Sequence, residues 1–189
     1  MKIVLIRHAE VDIDKNSFAY AYELKKWLDI YNSAEIKRDF ISKTEISNIF
    51  ESSDKIFCSS LKRSCDSVAL YGKNPDEKSE LFNEVGLPYA NLGLVKLPLV
   101  LWAVIFRVMW IFGYKNNGES LQKAKIRAKK GADKLISSCD KDGTVTLLGH
   151  GLINILIGKE LLKQGWKSQE KMRSANWAYG VFELIISSK

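Results

Sequence analysis

Short apolar runs alternate with amphipathic stretches along this chain. Unbroken runs of β-branched residues and leucine are typical of buried strands, and they predict strands at residues 2–6, 55–58, 144–148 and 179–186. Between these runs apolar residues recur every three or four positions, which predicts helices at residues 17–31, 61–70, 120–137 and 152–164. Gly165 follows the last helix and is a suitable C-terminal cap. Because strand and helix alternate, the fold class is α/β.

One segment, residues 97–114, is apolar on every side of a helix and carries a single charge, Arg107. Its bulkiest residues form one stripe, made of Leu99, Trp102, Ala103, Phe106 and Trp110. A bilayer span needs about 20 apolar residues, and an arginine near its centre costs about 2.5–3.5 kcal/mol. We therefore predict an element that covers the core or a site, and not a span. Contact with a membrane surface is the alternative.

The length and composition fit one domain, residues 1–189, with a hydrophobic insertion at about residues 86–117. Apolar residues make up 46% of the 189 residues and charged residues 27%, which excludes collagen-like, low-complexity and wholly disordered chains. The net charge of +7 favours anionic partners without distinguishing metabolites, nucleic acid and lipid head groups.

The cysteines and the first residues bear on the compartment. Cys58, Cys65 and Cys139 are too few and too irregularly spaced for a disulfide framework, and none belongs to the CxxC pair of a zinc site. The apolar run at residues 3–6 is shorter than the ~7–15-residue core of a signal peptide. Together these features predict a cytoplasmic protein.

Three predicted strands run directly into polar turns. Arg7-His8 follows the first, residues 59–63 follow the second, and Gly149-His150-Gly151 follows the third. In an open α/β sheet, ligands bind outside the carboxyl ends of the strands. A lone histidine is more often structural than catalytic, but the only two histidines of this chain both occupy such turns. We expect these turns to converge on one site.

The turn after the second strand places two bases at the start of a helix. If Ser60 caps the helix at residues 61–70, Lys62 and Arg63 lie in its first turn, where the helix dipole disfavours cations by ~0.3–1 kcal/mol each. Two solvated surface bases are one interpretation. The other is an anion, phosphate above all, bound at this helix end. The glycines of Gly149-His150-Gly151 offer a second helix start to the same anion.

These residues form a recognisable set. Leu5-Ile6-Arg7-His8-Ala9-Glu10 resembles the N-terminal Arg-His-Gly signature of the histidine phosphatase superfamily, which includes the phosphoglycerate mutases. Residues 59–69 resemble its second-arginine helix, and Gly149-His150-Gly151 resembles its second-histidine motif. Asn117-Gly118-Glu119-Ser120 is similar to its Gly-Glu-Ser element, and Leu81-Phe82-Asn83-Glu84 to the stretch that carries its acid. The resemblance implies a three-layer α/β/α sandwich with a mostly parallel central sheet and a helical insertion covering the active site.

The resemblance also implies a phosphohistidine mechanism. His8 would attack phosphorus, Arg7 and Arg63 would hold the phosphoryl oxygens, and His150 would complete the pocket. A neutral imidazole is available near pH 7, and arginine forks match phosphate geometry. No cofactor and no metal are implied.

The acid is less firmly placed. Glu84 is the candidate proton donor to the leaving oxygen and then the base that activates water. A solvated loop carboxylate is its alternative interpretation, and Glu10 and Glu119 are the other candidates. Glu119 is a candidate substrate-binding residue, or else a first-turn acid of the helix that follows it.

Three functions remain open. The leading one is a phosphatase acting on a small phosphorylated molecule; the others are a phosphomutase and a non-catalytic binder of phosphorylated ligands. Nucleotide-dependent and serine-hydrolase motifs are absent from the sequence. The bases at residues 123–130 have no interleaved aromatics, which indicates a solvated face and no nucleic-acid surface. Membrane contact through residues 97–114 is not expected, and the oligomeric state is left open.

Overall fold

The computed structural model describes residues 1–38, 44–116 and 118–185. Its strands are β1 Lys2–Arg7, β2 Phe18–Tyr20, β3 Lys55–Ser59, β4 Glu77–Ser79, β5 Lys96–Pro98, β6 Thr144–Gly149, β7 Lys167–Glu170 and β8 Tyr179–Glu183. Its helices are α1 Leu24–Ser33, α2 Thr44–Glu51, α3 Lys62–Ala69, α4 Leu99–Ile111, α5 Leu121–Ser137 and α6 Gly151–Lys163, with 3₁₀ turns at Ala21–Glu23 and Glu80–Phe82.

A six-stranded sheet lies at the centre of the molecule, in the order β4-β3-β6-β1-β8-β7. The first four strands of this order are parallel, whereas β8 runs antiparallel to both β1 and β7. The register pairs Arg7 with Gly149 and Cys58 with Leu148. The carboxyl ends of β3, β6 and β1 therefore lie side by side.

Helices cover both faces of this sheet. Ile3 and Leu5 of β1 belong to a core cluster that includes residues of α5 and α6. Val4 and Ile6 belong to a second cluster, which includes residues of α2 and α3. A parallel strand buried on both faces is a continuous apolar run rather than an alternating one, and for this reason β1 is easy to recognise in the sequence. The predicted three-layer α/β/α sandwich with a mostly parallel sheet is confirmed.

The four predicted strands and three of the four predicted helices correspond to β1, β3, β6, β8, α3, α5 and α6, within a few residues at each end. The end predicted for the last strand, Ile186, lies outside the described residues. Gly165 follows α6 with a φ of +89°, a left-handed conformation that glycine adopts readily, and so the predicted cap is confirmed.

The predicted helix at residues 17–31 is partly wrong. Phe18–Tyr20 is a strand, a 3₁₀ turn follows it, and the α-helix begins only at Leu24. β2 pairs with β5 in a separate two-stranded sheet. Pairing with β5, which is distant in the sequence, overrides the local helical pattern of residues 18–20. The short strands β4, β5 and β7 and the helix α2 were not predicted.

Helix α4 forms the main element of the hydrophobic insertion. It buries Leu99, Trp102, Phe106 and Trp110, four members of the predicted bulky stripe. The first three pack in a cluster with Ala21 and Leu24. Among the described residues, no helix has the length and apolar character needed to cross a membrane.

Candidate active site

The polar turns predicted to converge do meet at the carboxyl edge of the sheet. His8 follows β1 and His150 follows β6, and their ring centroids are 4.9 Å apart in an edge-to-face arrangement. Arg63 extends from α3 to His8. The adjacency of β1, β6 and β3 brings these groups together. The edge of the sheet therefore carries the cluster that the spacing of the motifs indicated.

His8 is held as one defined tautomer. Its Nδ1 lies 2.6 Å from the carbonyl oxygen of Ala9, and a carbonyl only accepts hydrogen bonds, so Nδ1 carries the proton. Nε2 accepts a hydrogen bond from Nε of Arg63 at 3.2 Å and is therefore unprotonated. Burial, followed by the charge of Arg63, holds the pKa of His8 well below its ordinary value. The imidazole is thus neutral at neutral pH, with a lone pair on Nε2.

His150 is bound through one nitrogen only. Its Nε2 lies 2.8 Å from Oγ of Ser59, and that hydroxyl donates to Oδ1 of Asn83 at 2.7 Å. The Ser59 oxygen can then accept from His150, which assigns the ring proton to Nε2. Nδ1 of His150 is buried and has no hydrogen-bond partner among the described residues. Burial and the charge of Arg63 hold the pKa of His150 well below its ordinary value.

Two arginines flank the histidines. Arg63 is 4% exposed, donates from Nη1 to Oδ1 of Asn32 at 2.8 Å, and lies 5.0 Å above the ring of Tyr31. Its burial lowers its pKa. Arg7 ends β1, and its Nε is buried without a hydrogen-bond partner among the described residues. Buried donors without partners are costly, which favours an anion at this position.

The start of α3 differs from the prediction in its cap. The N-cap residue is Leu61, without a side-chain hydrogen bond, whereas the hydroxyl of Ser60 donates to Oδ1 of Asn83. Lys62 and Arg63 do lie in the first turn. Lys62 forms ion pairs with Glu35 and Asp66, so its charge is neutralised locally. The interpretation as a solvated base fits Lys62, and the anion interpretation concerns Arg63 alone.

Glu84 occupies the start of α6. Its Oε1 accepts from the backbone N–H groups of Val85 at 2.9 Å and Ile153 at 3.2 Å, and its Oε2 accepts from that of Leu152 at 3.3 Å. The expectation that this helix end binds phosphate is therefore corrected, because a carboxylate of the chain already fills it. Packing, and not phosphate binding, explains why a glycine precedes His150. A Cβ on Gly149 would collide with the side chain of Asn154.

The other two candidate acids lie elsewhere. Both carboxylate oxygens of Glu119 bind Arg127, at 3.0 and 2.7 Å, and Glu119 does not line the cavity described below. Glu119 also precedes the N-cap Ser120, so it is not a first-turn acid either. Arg127 is the exception to the solvated basic face predicted for residues 123–130, since it donates to the carbonyl of Asn83 at 2.7 Å. Glu10 is a partly exposed carboxylate paired with Lys15 and Lys37. Asn117, the first residue of the motif around Glu119, lies outside the described residues.

A cavity of about 750 Å³ opens at this edge of the sheet, and Arg7, Arg63 and Glu84 line it. The two histidine rings are buried and are not part of its surface. Its apolar and aromatic walls come from α1, the segment after Glu84, and α4, through Trp27, Leu28, Tyr31, Leu87, Tyr89, Val100 and Ala103. The predicted covering role of residues 97–114 is thus confirmed.

Arg107 is the charged residue of that cover. It lines the cavity, and none of the ion pairs found among the described residues includes it. Its Nη2 donates to the carbonyl of Val85 at 3.0 Å, and its guanidinium lies 5.3 Å from the ring centroid of Trp110. Nη1 is buried without a partner among the described residues, and burial lowers the pKa of the group.

Several supporting residues were missed in the sequence. Ser59 and Asn83 hold His150, Asn32 holds Arg63, and Nδ2 of Asn176 donates to the carbonyls of His8 and Ala9 at 2.9 and 3.1 Å. Ser59 and Asn83 lie inside motifs that were recognised. Asn32 and Asn176 lie in no motif, and only the tertiary structure brings them to the site. Among the residues that the structure covers, no group of three or more His, Cys, Asp or Glu side chains is arranged to hold a metal ion.

Stability should fall in acid because of the two buried histidines. The unfolded chain binds protons below about pH 6.5, whereas both histidines have lower pKa values in the folded state. The unfolded state then binds more protons, and the free energy of unfolding falls by up to about 2.7 kcal/mol per pH unit below that point. Urea unfolding at a series of pH values measures this slope, and His8→Asn should halve it. An unchanged stability between about pH 7 and about pH 5.5 would contradict the neutral, buried state.

Comparison with known proteins identifies the fold. No family model matches the chain, and no curated protein matches its sequence. A solved structure from Mycobacterium tuberculosis, the product of open reading frame Rv3214, matches 98% of this chain and 95% of its own with a TM-score of 0.62 and 15% identity.

Two further structures carry enzyme names. Mycobacterial glucosyl-3-phosphoglycerate phosphatase in complex with VO3 matches 95% of this chain and 90% of its own, with a TM-score of 0.60 and 19% identity. A phosphoserine phosphatase mutant from Entamoeba histolytica, in complex with phosphoserine, matches 95% and 89%, with a TM-score of 0.55 and 15% identity. At these identities the comparison shows that the chain shares the fold of these proteins.

Proposed function

We propose that this protein is a phosphatase that hydrolyses a phosphomonoester through a phosphohistidine on His8. The observation that carries the proposal is the state of His8: Nδ1–H is bound to the Ala9 carbonyl, and the Nε2 lone pair faces Arg63. A neutral imidazole fixed in this tautomer is a ready nucleophile. The phosphatases named above share the fold, and both of their names include a phosphomonoester.

In the first step, the Nε2 lone pair of His8 forms a bond to phosphorus while the bond from phosphorus to the leaving oxygen breaks. Glu84, when protonated, gives its proton to that oxygen, and an alcohol departs. Arg7 and Arg63 bind the equatorial oxygens, whose charge grows in the transition state. A proton of the incoming phosphomonoester monoanion passes to Nδ1 of His150, which donates it in a hydrogen bond to a phosphoryl oxygen. The same proton departs with inorganic phosphate at the end of the reaction.

Arg63 must change partners in this step. In the structure its Nε donates to the same Nε2 atom that attacks. An incoming phosphoryl oxygen accepts that hydrogen bond instead and frees the lone pair. The charge-assisted bond from arginine to phosphate is the stronger of the two, and so substrate binding itself exposes the nucleophile.

In the second step, the Glu84 carboxylate takes a proton from water. The water oxygen bonds to phosphorus, the bond from Nε2 of His8 to phosphorus breaks, and inorganic phosphate leaves. His8 returns to the neutral form that it has in the free protein. Glu84 is suitably placed for both steps, because it lines the cavity and three backbone N–H groups hold it there.

The walls of the cavity favour a partly apolar leaving group. Trp27, Tyr31 and Tyr89 offer aromatic faces, and α4 adds Val100 and Ala103. Arg107 adds a buried Nη1–H group that has no hydrogen-bond partner among the described residues. We infer a small or medium phosphomonoester whose leaving group combines an apolar body with a group that accepts a hydrogen bond from Arg107. Metal independence and a cytoplasmic location belong to the same proposal.

A turnover screen tests the proposal. The purified protein is incubated with a panel of phosphomonoesters in the presence of a chelator, and inorganic phosphate and alcohol are both measured. Equal release of phosphate and alcohol is expected. Transfer of the phosphoryl group to a second hydroxyl would identify a phosphomutase instead. Tight binding of phosphate or vanadate without any turnover would identify a non-catalytic binder.

Replacing Glu84 with glutamine should slow poor leaving groups most. An alkyl phosphate needs a proton on its departing oxygen and should lose about 10²–10⁴-fold in rate, whereas nitrophenyl phosphate needs almost none. The ratio of kcat/KM for the two substrates measures this difference. Glu10→Gln is the matched control, because that carboxylate is paired with Lys15 and Lys37 and does not line the cavity. Equal losses on both substrates would show that Glu84 is not the proton donor.

A further inference from the structure

Helix α4 exposes an apolar face to solvent. Its outward residues, with Phe112 at the C-cap, form what we call the outer face of α4, made of Leu101, Val104, Val108, Ile111 and Phe112. Each is a large hydrophobic side chain with an exposed surface, and Phe112 is 86% exposed. Scattered exposed hydrophobics are normal, but a contiguous group on one face marks an interaction site.

The helical period separates this face from the other two roles of α4. Leu99, Trp102 and Phe106 point to the core, and the cavity-lining residues Ala103 and Arg107 follow next around the helix. The outer face lies next to these cavity-lining residues, farther around the helix axis from the core. Val100 lines the cavity and is exposed as well, so the outer face borders the cavity wall. Helix α4 therefore contributes to the cavity wall with one side and leaves its outer face available for a partner.

Charge identifies the kind of partner. From residue 85 to residue 118 the sequence contains Lys96, Arg107 and Lys115 and no aspartate or glutamate. Lys96 and Lys115 are exposed on either side of α4 in the chain. An apolar helix face with flanking lysines and no acid in its own segment suits a surface whose interior is apolar and whose head groups are anionic.

In contrast to the expectation from the sequence, we propose that the outer face of α4 docks on the surface of an anionic lipid bilayer, with the helix lying in the plane of the interface. Leu101, Val104 and Val108 would enter the acyl boundary, and Lys96 and Lys115 would contact the head groups. A second copy of the chain is a poor occupant, because an isologous contact repeats the same patch on both sides and would bring together two segments that each contain lysines and no acid.

Vesicle sedimentation tests this docking without any substrate. The full-length protein is mixed with vesicles of phosphatidylcholine alone or with added phosphatidylglycerol, and the bound fraction is measured at low and high salt. Binding to the anionic vesicles is expected, with loss at high salt. Val104→Glu with Val108→Glu should weaken binding at least tenfold. Lys96→Gln and Lys115→Gln should each weaken it about fivefold, since each lysine near such a surface is worth about 1 kcal/mol.

A matched control separates the outer face from exposed hydrophobics in general. Ile126 on α5 is 53% exposed, the same as Val104, and lies outside the insertion. Ile126→Glu should bind vesicles like the unaltered protein. Thermal unfolding and light scattering are measured on every variant to verify folding, and the docking does not depend on the proposed reaction.

Any one of the following results would overturn the proposal. The first is a folded protein that does not bind anionic vesicles, and the second is a Val104→Glu, Val108→Glu variant that binds them as well as the unaltered protein. The last is an unaltered protein that is a dimer in solution while the same variant is a monomer. The last result would make the outer face an interface between copies. Binding that needs an acidic protein and not lipid would also exclude the bilayer as partner.

Discussion

His8→Ala is expected to abolish turnover, with a loss of about 10⁴-fold or more in kcat. The substitution removes the atom proposed to accept the phosphoryl group, while Arg7, Arg63 and His150, the proposed binding residues, stay in place. Vanadate affinity should therefore change much less than kcat. Steady-state kinetics with nitrophenyl phosphate and vanadate inhibition measure the two effects separately.

The intermediate gives an independent check of the same residue. Rapid quench of the unaltered protein should trap an acid-labile, alkali-stable phosphoryl group on His8. His150→Ala is the matched control, because it should slow the reaction and still allow the adduct on His8. An adduct on a serine or a cysteine, or full activity in His8→Ala, would end the assignment.

Arg63→Ala is expected to have the second-largest effect. Arg63 is buried, contacts Nε2 of His8 and lines the cavity, so a bound phosphoryl group would receive its charge-assisted hydrogen bonds in a site with little water. Such bonds contribute about 1.5–3 kcal/mol each, and the loss of two predicts a decrease of about 10²–10⁴-fold in kcat/KM and in phosphate affinity. Arg63→Lys should restore only a small part, because a lysine lacks the planar fork.

Lys62 provides a control at the adjacent position. It shares the first turn of α3, carries the same charge and is paired with Glu35 and Asp66 outside the cavity. Lys62→Ala should leave phosphate affinity and kcat/KM within about twofold, as expected for an exposed ion pair. Thermal unfolding verifies that each variant is folded. If Arg63→Ala and Lys62→Ala behave alike, the anion site at α3 is wrong.

The sequence predicted the elements whose signal is local. β1, β3, β6 and β8 are apolar runs buried on one or both faces, and α3, α5 and α6 have regular periodicity between clear end signals. β2 and β5 have three residues each and form only because they pair with one another across a long stretch of chain. A three-residue strand has no periodicity of its own to detect.

The same division applies to the site. Arg7, His8, Arg63 and His150 follow or flank strand ends, and parallel strands in adjacent order bring such positions together, so the sequence alone determined this cluster. The roles of the acids depended on partners that no motif contains. Glu84 accepts hydrogen bonds from backbone N–H groups at the start of α6, and both carboxylate oxygens of Glu119 bind Arg127.

Only the tertiary structure decided what each side of α4 does. A helix that is apolar all round has no amphipathic pattern, so its sequence cannot say which arc is buried. Packing against Ala21 and Leu24 fixes its rotation, and that rotation places Arg107 on the cavity and Val104 in solvent. The sequence determined a basic, apolar segment between the motifs of Arg63 and His150. The direction of each side chain, and with it the surface that we propose for membrane docking, follows from contacts between residues far apart in the chain.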